Sequence, residues 1–154
     1  EQARPGQVRF LVVGDGPYEQ EVRARAPRGT VLTGKLHGTA LSEAFASGDV
    51  FLFPSTTDTF GNVMLEAMAC GVPVAAFPVT GPIDVVIPGV TGELDQDLRR
   101  AAITALTLDR TQIRKLALTR SWANATAEFL DNLVPARQQP ARLLPWRDRA
   151  SIKA

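Results

Sequence analysis

Phe51-Leu52-Phe53-Pro54-Ser55-Thr56-Thr57-Asp58-Thr59-Phe60-Gly61-Asn62-Val63-Met64-Leu65-Glu66-Ala67-Met68-Ala69-Cys70-Gly71-Val72-Pro73 is the stretch on which the fold of this chain turns. It opens as an apolar run too short for a helix and closed by Pro54, the pattern of a buried strand. Ser55 to Thr59 then supply side chains that compete for backbone hydrogen bonds and so favour a loop or a helix start. From Asn62 onward the residues are good or tolerable helix formers, and Gly71 followed by Pro73 stops the helix. Glu66 stands in this helix among Val63, Met64, Leu65, Ala67, Met68 and Ala69, so the pattern predicts a buried carboxylate that needs a hydrogen-bonding partner. Asp58 lies eight residues earlier, just outside the helix start. Between the two acids, Phe60, Gly61 and Asn62 are expected to offer free amides at the positive end of the helix, with Gly61 permitting close approach. Amides for phosphate oxygens and two carboxylates for hydroxyls describe a site for a phosphorylated polyol, such as a nucleotide sugar.

The flanking segments alternate. Val8 to Val13, Thr30 to Thr33, Asp49 to Phe53, Val74 to Phe77 and Glu93-Leu94 read as strands, apolar without the alternation of a half-exposed sheet. Helical patterns run from Glu19 to Ala26, from about Thr39 to Ser47, briefly through Ile87, and over Asp97 to Leu106, Thr111 to Thr119 and Ala123 to Leu133. Thr39 or Ser42 is the expected cap of the second of these helices, and Trp122 the expected packing anchor of the last. Such an order predicts an α/β fold, a Rossmann-like parallel sheet with helices on both faces. Ligands bind beyond the carboxyl ends of its strands, where Gly14-Asp15-Gly16, Gly34-Lys35 and Ser55 to Gly61 all fall. Gly14-Asp15-Gly16 is not a dinucleotide fingerprint, because Glu19 stands where the third glycine is required.

Phe-Pro-Ser, an acid, Phe60-Gly61, then Leu65-Glu66-Ala67-Met68-Ala69 and Gly71-Val72-Pro73-Val74 resemble the donor-binding core of family 4 retaining glycosyltransferases. The resemblance covers residues 8 to 133 and implies the C-terminal half of a GT-B fold. By matching positions it implies that Asp58 orients the transferred sugar and that Glu66 takes the ribose hydroxyls. Asp58 replaces the more usual Glu, and Thr57-Asp58-Thr59-Phe60-Gly61 is most similar to bacterial α-mannosyltransferases. Gly14 and Gly16 become candidates as neighbours of the donor cleft, and Lys35 and Leu36 as the segment lying against the base. Asn62 and Val63 complete the donor set at the helix start. Gly81 and Asp84 are variant matches to a further family segment. The family implies a metal-independent, cofactor-free transfer of a hexose from GDP-mannose or a UDP-sugar, with no dedicated general base. It also implies an N-terminal Rossmann-like domain upstream of this piece and an Arg and a Lys that hold the diphosphate. Only Arg4 stands in Glu1 to Gln7, so that pair has no match here.

Composition narrows the alternatives. The formal charge of +1 divides into +4 over Ala136 to Ala154 and −3 over the rest, so the body is no nucleic-acid binder. A single cysteine, Cys70, excludes an internal disulfide and fits a reducing compartment, so a cytoplasmic location is expected. His37 is the only histidine and has neither a metal-spaced partner nor a nucleophile motif beside it. Its isolation counts against a GT-B nucleotide-sugar epimerase. Two carboxylates eight apart, one of them on a helix, are also poorly placed for glycoside hydrolysis. Two readings remain beside the transferase: a non-catalytic nucleotide-sugar module, and a Glu66 that merely pairs with a buried base. Residues 1–134 are taken as the donor domain. Residues 135–154 are taken as a basic, Pro-containing disordered tail, or as a peripheral contact with the inner membrane face through Leu143, Leu144 and Trp146.

Overall fold

A computed structural model describes residues 8–134 of the chain. Among the described residues five strands each precede a helix, and two further helices close the order: β1 Leu11–Val12, α1 Glu19–Arg25, β2 Val31–Leu32, α2 Gly38–Ser47, β3 Phe51–Phe53, α3 Asn62–Ala69, β4 Val74–Ala76, α4 Pro82–Val85, β5 Gly92–Leu94, α5 Leu98–Ala105, α6 Arg110–Thr119 and α7 Trp122–Asp131. The three strand ladders among the described residues are all parallel, as unbroken apolar strands favour. The expected sheet is nonetheless in two pieces, a ladder β1-β2 and a ladder β3-β4-β5. One compact unit runs through Ser121 and a second begins at Trp122. The anticipated tail at 135–154 and the pre-strand segment with Arg4 lie outside the described residues. No helix among the described residues is long and apolar enough to cross a membrane.

The core is built around β4, whose three residues are fully buried. Successive strand side chains point to opposite faces. Val74 and Ala76 accordingly join Phe53, Met64, Met68, Val85, Val86, Ile113 and Ala117 on one face, while Ala75 meets Ala101 and Ala105 of α5 on the other. Alanine at all three of these positions brings α5 close to the sheet. Ile103 of α5 and Leu106, its C-cap, are 56% and 54% exposed. Helix α5 starts on Asp97, whose Oδ1 accepts from the amides of Arg99 and Arg100. Helix α6 starts on Asp109, which accepts from Thr111 and Gln112. Helix α2 differs from expectation. His37 occupies its N-cap position without a side-chain bond, and neither Thr39 nor Ser42 caps it. Trp122 is 88% exposed rather than buried as the expected packing anchor.

Candidate functional site

The stretch that decides the fold also carries the candidate chemistry. After β3 the chain leaves the sheet at Pro54, and Asp58 ties the following loop by accepting the Phe60 amide on Oδ1 at 3.0 Å. Gly61 then takes the left-handed conformation, φ +76°, and opens α3 as its N-cap. A Cβ there would fall 2.5 Å from the flexible end of the Met64 side chain, which can shift aside, so it is the dihedral that calls for glycine. Gly81, in the loop after β4, has φ +93°, and a Cβ on it would stand 3.0 Å from the Asp58 carbonyl oxygen. The second glycine loop is therefore pressed against the backbone of the first and fixes where Asp58 sits. At the helix start the Met64 amide is used by the Gly61 carbonyl, at 2.9 Å. The Asn62 and Val63 amides precede any intrahelical acceptor, the usual state of a first turn.

Two expectations are corrected. The Phe60 amide is not free for a ligand, because Asp58 has taken it. Glu66 is not buried; it is exposed, and its side chain makes no hydrogen bond or ion pair with another of the described residues. The geometry of α3 explains the second result. Its buried residues are Met64, Ala67 and Met68, one i, i+3, i+4 face. Asn62 and Glu66, four apart, fall on the opposite line and reach the surface. Apolar neighbours along the chain predicted burial, but only the packed face is buried. A carboxylate without an internal partner is left available to an outside hydroxyl.

Glu66 faces α2. With Leu41, Ser42, Phe45, Ala69 and Cys70 it lines a cleft of about 210 Å³. None of these five neighbours stands out in the sequence as a ligand contact. The discoverable signal is spacing: Cys70 follows Glu66 by one helical turn, and Leu41 and Phe45 share a face of α2. The far end of α3 is closed by a left-handed Gly71, φ +75°, with the Val72 amide returning to Ala67 and the Gly71 amide to Met68. Helix α6 holds that end. Arg114 Nη1 donates to the Ala69 carbonyl at 2.7 Å, and Arg110 donates to Gly71 at 3.0 Å and to Ala46 of α2 at 3.1 Å. The two helices bordering the Glu66 cleft are thereby tied to one side chain of α6.

The other candidates form a cluster of their own. Gly14 bridges Gly34, its amide donating to the Gly34 carbonyl at 2.8 Å. Lys35 Nζ pairs with Asp15 Oδ1 at 3.1 Å. Gly16 accepts the Glu19 amide and turns the chain into α1. Leu36 is half-buried at the entrance to α2. The loops after β1 and β2 thus meet as expected, and the loop after β3 lies on the other ladder. A second trough, of about 510 Å³, runs along Tyr18, Glu21, Val22, Arg25 and Ala26 of α1 and touches none of the candidates. No group of three or more His, Cys, Asp or Glu that could hold a metal occurs among the described residues.

Comparison with known proteins gives a consistent result. Residues 1–108 match the family model described as glycosyl transferases group 1. A GDP-mannose-dependent alpha-mannosyltransferase of Mycolicibacterium smegmatis is 40% identical over 132 residues, covering 80% of this chain and 35% of that protein. Its namesake in Mycobacterium tuberculosis is 34% identical over 145 residues, covering 88% of this chain and 38% of that protein. The chain thus spans little more than a third of these relatives. Among solved structures, Anabaena Alr3699/HepE in complex with UDP-glucose superposes with a TM-score of 0.64 at 25% identity, over 85% of this chain and 43% of that one.

Proposed function

Because this chain belongs to the glycosyl transferases group 1 family, we propose that it is the donor-binding half of a retaining hexosyltransferase that uses a nucleotide diphosphate sugar. Its α/β fold is the C-terminal half of the GT-B glycosyltransferase fold. The observation that carries the proposal is the placing of two acids around one helix start: Asp58 fixed in the loop before α3, and Glu66 unpaired beside the cleft one turn further on. In this proposal Glu66 accepts from the ribose hydroxyls, and Asp58 turns its second oxygen to the sugar. The Gly61, Asn62 and Val63 amides face the diphosphate, whose negative charge the helix start favours. Gly14, Gly16, Lys35 and Leu36 border the base.

The reaction breaks the bond between the anomeric carbon and the phosphate oxygen and forms one from that carbon to an acceptor hydroxyl on the same face. The acceptor proton passes to the departing diphosphate. No side chain of this half acts as general base, and no metal or cofactor takes part. The remaining part of the polypeptide would bring the acceptor. GDP-mannose is the first choice of donor, supported by the two mannosyltransferase relatives. A UDP-sugar is the second, supported by the Anabaena complex.

The test is a thermal-shift screen of the full-length protein with GDP-mannose, UDP-glucose, UDP-N-acetylglucosamine and the free nucleotides. A ligand at a hundred times its Kd raises apparent stability by about 2.7 kcal/mol. Glu66→Ala is expected to weaken nucleotide binding about 10- to 100-fold, the value of a charge-assisted hydrogen-bond pair. It should leave unliganded stability within about 0.5 kcal/mol, since the side chain is exposed and unpaired. Unchanged affinity in this variant would remove Glu66 from the site. Binding without transfer to any sugar or lipid acceptor would favour the non-catalytic module instead.

A further inference from the structure

Helix α6 carries its arginines to the ends of three other helices. Arg110 donates to Ala46 in the last turn of α2 and to Gly71 just past α3, and Arg114 donates to Ala69, the last residue of α3. Arg120, the C-cap of α6, places Nη1 2.8 Å from the carbonyl oxygen of Val85, the last residue of α4. The final carbonyls of a helix have no intrahelical partner and lie at its negative end, so a guanidinium is a fitting donor to each. Beneath these arginines, Ile113 and Ala117 of α6 are buried in one cluster with Met64 and Met68 of α3 and Val85 of α4. Helix α6 is thereby fixed to the core and serves as an anchor for what its arginines hold.

The Arg120 tie differs from the other two in where it leads. α4 is a single turn, Pro82–Val85, with Gly81 as its N-cap. At 1.5 Å of rise per residue, Val85 lies about 6 Å along the axis from that glycine. Gly81 is packed on the Asp58 loop: a Cβ on it would stand 3.0 Å from the Asp58 carbonyl oxygen and 3.4 Å from the Phe60 amide nitrogen. Among the described residues no backbone hydrogen bond joins the two loops. A contact of this kind can push but cannot pull. It holds Asp58 in place only while α4 is itself held from its far end, and there the donor is Arg120, through a partly buried bond. Arg110 and Arg114 act instead on α2 and α3, the helices that border Glu66.

We propose that Arg120 is a positioning residue for the donor sugar. Through Val85, α4 and Gly81 it keeps the Asp58 loop where the second carboxylate oxygen meets the sugar. This role rests on the assignment of Asp58 to the sugar, and Arg120 itself touches no ligand. Glu66 lies outside this line of contacts, so binding of the ribose does not depend on Arg120.

Two substitutions and two readouts test the role in the full-length protein. Arg120→Met keeps the apolar stem and removes the donors, whereas Arg120→Lys restores a donor and the charge. Affinities for GDP and GDP-mannose, and for UDP and UDP-glucose, are measured by titration calorimetry. Arg120→Met should weaken the sugar-bearing ligand about 10-fold, the worth of one hydrogen bond to a charged group. It should leave the free nucleotide within about 2-fold, as expected of a site with no shared partner. Arg120→Lys should recover most of the loss. Amide hydrogen exchange of the unliganded protein needs no nucleotide and supplies the second readout. In Arg120→Met the Phe60 amide, which Asp58 holds, should exchange about 10-fold faster, while the Cys70 amide at the end of α3 keeps its rate. Equal weakening of the free and sugar-bearing ligands, or equal speeding of Phe60 and Cys70, would reduce Arg120 to general support and overturn the proposal. Unchanged affinity for both ligands would overturn it as well. A wild-type protein that binds none of the four ligands would remove the donor assignment and this role with it; one that binds them while the variant keeps their ratio removes this role alone. Should Arg120→Met not fold, Arg120→Gln, which keeps a neutral donor, is read by the same two contrasts.

Discussion

An observed duty of Asp58 and a proposed one can be separated by a pair of substitutions. Its Oδ1 fastens the loop by accepting the Phe60 amide, while the charge is what the proposed sugar contact needs. Asp58→Asn keeps an acceptor and should hold stability within about 0.5 kcal/mol. Asp58→Ala loses the bond and should cost about 0.5–1.5 kcal/mol. Both should lower transfer by the full-length protein, measured as turnover beside a urea titration. Full turnover in Asp58→Asn would show that the carboxylate is not needed. Glu66 marks where reading residues along the chain falls short. Its neighbours in sequence are apolar, but helical geometry sends three of them inward and leaves the carboxylate at the surface. Which face of an apolar helix is packed depends on α6 and the sheet, and the local pattern does not contain that choice.

At the scale of elements the pattern of the chain was largely readable. Each predicted strand and helix exists, because glycines and prolines punctuate the segments and because the apolar runs are either too short or too periodic to be mistaken. What escaped is packing detail. α5 buries Ala101 and Ala105 fully, with Leu98 packed beside them and Ile103 exposed, since small side chains allow it to lie so near Ala75. The ties between α6 and the cleft were equally hidden, as they join Arg110 to carbonyls 39 and 64 residues away. Arg110→Ala should cost about 1–2 kcal/mol and weaken nucleotide binding, because two helix ends lose a shared donor. Arg110→Lys, which cannot reach both carbonyls with a planar fork, should recover only part of either loss. Full recovery by lysine would reduce the role of Arg110 to bare charge.

A second element-level expectation concerns pH. The Arg100 guanidinium, hydrogen-bonded to Asp95, and then the Asp97 amide hold the Asp95 carboxyl below its ordinary value of 3.8. A carboxyl depressed in the folded state contributes stability that is complete above its unfolded value and is lost as pH falls through the folded one. The stability deficit of Arg100→Ala should therefore be constant down to about pH 5 and shrink below 3.8. Urea titrations of both proteins across that range provide the check. A deficit that persists unchanged in acid would assign it to packing of the arginine stem.

Over the whole molecule, burial is uneven, and stability should follow it. β4 is sealed on both faces, while β1 and β2 stay half open. In the 154-residue chain, amides of Val74 to Ala76 should exchange only on global unfolding, and those of Val12, Val31 and Thr33 at least about 10-fold faster through local opening. Equal rates would indicate a single cooperative unit. The class of the fold was visible in the chain because it rests on local pattern. The break in the sheet was not, since strand neighbours are chosen across dozens of residues.

The cleft beside Glu66 has one more consequence, for whoever wishes to watch it fill. The only thiol in the chain, Cys70, forms part of its wall and is partly accessible. A thiol-directed dye would thus mark a single spot at the rim, with no engineered attachment point, and its brightness would follow occupancy from one turn of helix away.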